Sequence, residues 1–247
     1  MMTKCKVILL DYTPNPDTLV ATAARTCYSP KSIEEIYKNV ESDPEKNKEF
    51  IKKLMDMGHQ SPLEHISFTF GIQGVSRTLT HQLVRHRIAS YSQKSQRYVN
   101  EKAFEYIVPP SIKNCQNPEA LEQYNNAMHS LNEIYEFLTL QCNIPKEDAR
   151  YLLPNACETQ IVVTMNARSL LNFFAHRCCN RAQWEIRALA YQMRKLVKEV
   201  APLTFSHAGA SCEMLGYCKE GKMSCGRFST LEYILKNYNK MEESNHV

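Results

Sequence analysis

Between Arg85 and Arg97 the chain reads Arg-His-Arg-Ile-Ala-Ser-Tyr-Ser-Gln-Lys-Ser-Gln-Arg, so Arg85, His86, Arg87, Lys94 and Arg97 share one short stretch with the hydroxyls of Ser90, Ser92 and Ser95. Guanidinium forks match phosphate or carboxylate oxygens two at a time, and serine hydroxyls satisfy the remaining lone pairs. The stretch therefore carries the donor set for a small phosphorylated ligand. A solvated basic loop, or a loose contact to a nucleic-acid backbone, draws on the same residue types. Further along, Asn166, Arg168 and Asn172 precede His176 and Arg177. Asn-x-Arg-x3-Asn also describes the ordinary start of a capped helix. His207 and the series Cys212-x5-Cys218-x6-Cys225 raise the question of zinc, but the spacing lacks the CxxC knuckle of structural zinc sites. We expect thiols there and no metal.

The elements that must position these residues follow from periodicity. Lys6 to Asp11 reads as a strand, and Pro14, Pro16 and Asp17 prepare a helix through Leu19, Val20, Ala23, Ala24 and Cys27. Asp43-Pro44 opens another, whose Phe50, Ile51, Leu54 and Met57 recur at helical spacing and which Gly58 can end, leaving His59 just beyond its terminus. Ile66, Phe68, Phe70 and Ile72 alternate with Ser67 and Thr69, the period of a strand with one buried face. Ser76 can cap a helix that turns Leu79, Leu83 and Val84 inward and brings Gln82, Arg85 and His86 to its end. Arg87 to Tyr98 is then expected to be a loop.

Asn117-Pro118 opens the longest helix, with Leu121, Tyr124, Met128, Leu131, Ile134, Tyr135 and Leu138 forming an apolar face wide enough for two partners. Glu158 to Met165 is β-rich, Asn166 can cap the helix bearing Arg168 and Arg177, and a last long helix runs from about Ala182 to Val200. There is no internal repeat or Gly/Ser linker, and the polar tail after Glu242 is expected to fray. The pattern is that of an α/β protein, a mixed sheet with packed helices. It is not a Rossmann fold, since the GxGxxG fingerprint is missing and the chain holds seven glycines.

A chain of 247 residues with 43% hydrophobic residues suits one substantial core, and a formal charge of +4 favours anionic ligands without demanding nucleic acid. No uncharged apolar run approaches the ~20 residues of a membrane helix. Met1 to Leu10 is too short for a secretory leader and runs straight into charged sequence. We therefore expect ten reduced thiols and a cytoplasmic protein.

The order Arg-His-Arg, seven residues, then Ser95 resembles the signature of the flavin-dependent thymidylate synthases. Gly58-His59-Gln60-Ser61-Pro62-Leu63-Glu64-His65 resembles that family's first block. Asn166 to Phe173, with Ala182-Gln183-Trp184-Glu185, resembles its last. Three ordered blocks between residues 58 and 185 implicate most of the chain. The resemblance implies a single domain over residues 1–247, with a cysteine-rich tail from about residue 207. It also implies a homotetramer with sites where subunits meet. The reaction would be reductive methylation of dUMP to dTMP, with carbon from 5,10-methylenetetrahydrofolate, hydride from FADH2 and NADPH as reductant.

The same resemblance distributes roles. Gln82, Arg85, Gln93, Lys94, Ser95, Gln96, Arg97, Arg150 and Arg177 would hold dUMP, with Arg97 and Arg150 clamping the phosphate. Ser61, Arg85, His86, Arg87, Gln93, Asn166, Arg168 and Asn172 would hold FAD, and His59 would lie near folate and flavin. A buried, hydrogen-bonded histidine is the equal alternative for His59. Cysteine-dependent thymidylate synthases use a Pro-Cys-His nucleophile that this chain lacks. Arg177 is the catalytic candidate instead: always protonated, it can stabilise the pyrimidine anion formed when N3 loses its proton. Compensation of a helix dipole is its plainer role. One departure stands out. Ser92-Gln93 occupies the place where family members often carry Asn-Glu, which replaces a carboxylate by an amide. Two rival readings remain, a basic nucleic-acid-binding module and a regulatory flavoprotein without synthase activity.

Overall fold

The computed structural model describes residues 4–99 and 103–236; the tail after Glu242 lies outside them. Four strands, β1 (Lys6–Tyr12), β2 (Ser67–Ser76), β3 (Ser90–Gln93) and β4 (Glu158–Asn166), form one sheet in the order β1-β2-β4-β3. The helices are α1 (Pro16–Thr26), α2 (Ile33–Ser42), α3 (Pro44–Asp56), α4 (Arg77–Leu83), α5 (Pro110–Lys113), α6 (Glu119–Glu136), α7 (Lys146–Ala149), α8 (Ala167–Arg177), α9 (Trp184–Val200) and α10 (Ser211–Leu215). The expected α/β class holds. The chain divides into two compact units, residues 1–8 with 70–164 and residues 9–69 with 165–247.

In the first unit, Phe70, Ile72 and Val75 on β2 are buried with Leu79 and Leu83 of α4 and Ile161 and Val163 of β4. The Ser76 hydroxyl caps α4 by accepting from the Leu79 N–H at 3.0 Å, as the sequence predicts. Gly74 has φ +71°, and a Cβ there would stand 2.4 Å from the Lys4 carbonyl oxygen, so only glycine fits. The loop expected over Arg87 to Tyr98 is partly a strand. β3 pairs antiparallel with β4 from Ser90↔Thr164 to Gln93↔Ile161. Its sequence is polar because it is short and half-exposed, and its backbone bonds come from β4.

α6 begins after Pro118 as predicted, but the expected two-sided apolar face is narrower within the unit. Met128 and Tyr135 are buried, whereas Ile134 keeps 45% of its surface exposed. Val84, expected inward, is exposed at 40% because it follows the last turn of α4.

In the second unit, α3 ends as its sequence requires. Gly58, at φ +71°, donates its N–H to Met55 O and His59 donates to Leu54 O, each at 3.1 Å, the paired bonds of a Schellman motif. α2 escapes the periodicity argument, although Ser32 and Glu35 form a capping box and Ile36 and Val40 bury one face. Ala21, Ile36, Val40 and Ile51 make one cluster, against which Leu203 packs. The Asp17 carboxylate ties that segment down, accepting from Leu203 N at 3.1 Å, Thr204 N at 2.9 Å and the Thr204 hydroxyl at 2.6 Å. A second cluster stacks Phe68 edge-on to Phe205 at 5.3 Å and Phe174 to Phe205 at 6.2 Å. Both α8 and α9 follow their predicted positions.

Candidate functional site

The first unit holds nearly all the residues expected to meet the nucleotide. Gln82 lies on the last turn of α4, while Arg85, His86 and Arg87 leave it, with Arg85 and Arg87 exposed. What shapes this exit is Tyr91. Its hydroxyl lies 2.8 Å from the Leu83 carbonyl and 2.7 Å from the His86 carbonyl, sharing its proton between groups that a helix end otherwise leaves unpaired. Burial pushes the Tyr91 phenol up to about 12, so it remains a donor at working pH.

Beyond β3, the Ser95 hydroxyl accepts from Arg97 N at 3.2 Å, which leaves its own proton available to a ligand. Gln96 turns inward: it is buried, accepts from Arg77 Nη2 at 3.2 Å and donates to the Cys157 sulfur at 3.7 Å. Gln93 also points inward, its amide nitrogen 2.9 Å from the Thr80 hydroxyl and 3.4 Å from that of Thr159. Lys94 continues the ladder, donating its N–H to Gln160 O at 2.9 Å.

Arg97 and Arg150 are brought together through Glu147. Arg97 Nη2 lies 2.8 Å from the Glu147 carboxylate, and Arg150 Nε donates to the Glu147 backbone oxygen at 3.1 Å. The hydrogen bond from Arg97 holds the Glu147 carboxyl below its usual range and, reciprocally, raises the guanidinium. No sequence signal links positions 97 and 147. Glu147 thus places two guanidinium-bearing residues side by side, Arg97 on its exposed carboxylate and Arg150 on its backbone oxygen, where a more highly charged anion can take the carboxylate's place on Arg97.

The second unit holds the rest. His59 follows the Schellman turn and is exposed in the single chain. Ser61 opens a short 3₁₀ turn, Ser61–His65, and is exposed. Within that turn Glu64, unassigned by sequence, forms an ion pair with Arg168. Asn166 caps α8, its side-chain oxygen accepting from Ser169 N at 2.8 Å. Asn172 is exposed, and its carbonyl lies 2.8 Å from His176 Nδ1. Arg177 is the last residue of α8 and is half-buried, followed by the buried Cys178. Burial pushes that thiol up to about 11, which makes it a poor nucleophile. Among the described residues no three His, Cys, Asp or Glu side chains cluster as metal ligands.

As a test of fit to FAD, the donor set is suitable. Arg85 and Arg87 present exposed guanidinium groups for a diphosphate. The Asn166 cap uses only its oxygen and leaves the amide nitrogen as a donor, and Arg168 retains donors beyond the one on Glu64.

A family model described as thymidylate synthase complementing protein matches residues 8–203. The chain belongs to that family. A flavin-dependent thymidylate synthase of Clostridium tetani is 51% identical over 242 residues, covering 93% of this chain and 96% of that protein. The protein of the same name from Geobacter sulfurreducens is 48% identical, covering 94% and 98%, and that from Pyrococcus abyssi 41%, covering 88% and 91%. The resemblance drawn from three motif blocks is thus a family membership spanning nearly the whole length. Among the described residues, no helix is long and apolar enough to cross a membrane.

Proposed function

We propose that this chain is an FAD-dependent thymidylate synthase that methylates dUMP to dTMP, with 5,10-methylenetetrahydrofolate as carbon donor and NADPH as reductant. Residues 1–247 act as one functional domain, in a cytoplasmic homotetramer. The observation that carries the reading is the gathering of Arg97 and Arg150 at Glu147, directly downstream of the Arg85-His86-Arg87 turn, within a chain of this family.

The nucleotide phosphate displaces the Glu147 carboxylate from Arg97 and takes bidentate bonds from Arg97 and Arg150. Ser95 donates its hydroxyl proton to the same phosphate, while Gln82 and Arg85 hold the base and sugar. Gln93, bonded to Thr80 and Thr159, braces the wall beside them through hydroxyls rather than by charge. Arg177, permanently protonated, stabilises the negative charge left when N3 of uracil loses its proton, and so raises electron density at C5. Ser61, Arg85, His86, Arg87, Asn166, Arg168 and Asn172 hold FAD, which supplies hydride for the one-carbon unit when bound. His59 orients the folate.

Release of tritium from C5-labelled dUMP tests the reading. The intact chain with FAD, NADPH and the folate should release it; retention of the label under those conditions would remove the proposed activity.

A further inference from the structure

A concave site lies within the second unit, among α1, α2 and α3, and none of its lining residues belongs to the sets assigned above. It has a volume of about 440 Å³. Cavities of roughly 300–1,000 Å³ are the size that takes small molecules. Its cationic side chains are Arg25, Lys31 and Lys46, with Asp43 as the one carboxylate of the lining. That carboxylate is engaged, since Asp43 Oδ1 accepts from Lys46 N at 3.0 Å to cap α3. Phe50 and Ile36 give the wall apolar surface, and Ser29, whose hydroxyl accepts from Lys31 N at 3.2 Å, adds a hydroxyl donor.

Arg25 is the informative residue. Its Nη2 donates to Asn47 Oδ1 at 3.2 Å, and its guanidinium carbon sits 4.5 Å from the centre of the Phe50 ring. The planar group is thereby fixed. Yet its Nε is buried with no hydrogen-bond partner among the described residues. A guanidinium fixed in this way, in a cavity lined also by two lysines and an aromatic ring, is an arrangement that an organic polyanion fits.

We propose that this cavity binds the anionic groups of a co-substrate, a phosphate or carboxylate cluster attached to an apolar or aromatic body. The inference rests on the reading above that a pyridine nucleotide and a folate serve the reaction. Both carry this chemistry, the first in its phosphates and the second in its glutamate carboxylates. The cluster bonds to Arg25, Lys31 and Lys46, and the adjoining apolar part lies on Phe50.

The test is equilibrium binding of NADPH, NADH, a monoglutamyl folate and a triglutamyl folate to the FAD-loaded full chain and to its Lys31→Gln/Lys46→Gln variant. Both lysines are exposed, so the variant should fold, and unchanged melting confirms it. We expect a loss of about tenfold or more in affinity for one of the more highly charged probes, a difference readily resolved by titration. A loss for NADPH greater than for NADH identifies the phosphate source; a loss that grows with glutamate number identifies the carboxylates. Equal affinities of the two proteins for all four probes would overturn the proposal. Tritium release from dUMP by the same preparations is scored separately, so a chain that turns over while binding is unchanged refutes the cavity and leaves the synthase reading standing.

Discussion

In the proposed reaction Arg177 stands in for a nucleophile as a single cation. Its proposed contribution is a fixed cationic field at the pyrimidine, and preorganised donors of that kind are worth roughly 10²–10³ in rate. Arg177→Ala should lower tritium release by about that factor while leaving the melting temperature within a few degrees. The thiols offer the complementary check. Cys225 is exposed, and hydrogen bonds from the Arg227 backbone and the Asn180 side chain lower its pKa, which favours the thiolate. Cys225→Ser should nonetheless leave turnover unchanged. Gln93 donates to two threonine hydroxyls that can reverse their roles, so Gln93→Glu should fold normally and keep turnover within about tenfold.

At the scale of elements, two joints position the site. The first is the Tyr91 hydroxyl on the carbonyls of Leu83 and His86, which closes the turn between α4 and β3. Tyr91→Phe should cost about 1 kcal/mol and raise the KM for dUMP more than it lowers kcat. Because the folded state raises this pKa from the ordinary 10.0 to about 12, the hydroxyl's stabilisation is complete below pH 10 and fades as pH climbs through 12. The gap in urea midpoint between wild type and Tyr91→Phe should therefore shrink across that window. The second joint is the Asn166 cap on α8. Asn166→Asp keeps the acceptor and should keep the fold while weakening flavin retention, whereas Asn166→Ala should also lose about 1 kcal/mol.

These joints were unequally legible in the sequence. Both caps, at Ser76 and Asn166, and the Gly58 terminator follow from residue type and spacing. β3 was hidden because Ser90-Tyr91-Ser92-Gln93 has no apolar alternation, its pairing being supplied by Ile161 to Thr164. α2 announced itself through Ser32-x-x-Glu35, a signal that apolar periodicity alone passes over. Glu147 and Glu64 meet their arginines across 50 and 104 positions, distances at which only the folded chain reveals a pair.

For the whole molecule, the proposed homotetramer accounts for apolar side chains that the single chain leaves uncovered, among them Ile134, Phe137 and Leu140 around the end of α6. Sedimentation should give four times the 28.5 kDa chain mass, and dilution that dissociates it should remove activity in parallel. The central claim, that guanidinium charge rather than a sulfur adduct activates the pyrimidine, is tested most directly by intact-mass spectrometry of acid-quenched turnover with dUMP. The account predicts only the unmodified chain mass throughout. A protein species heavier by one nucleotide, with the added mass mapped to a cysteine thioether, would contradict it.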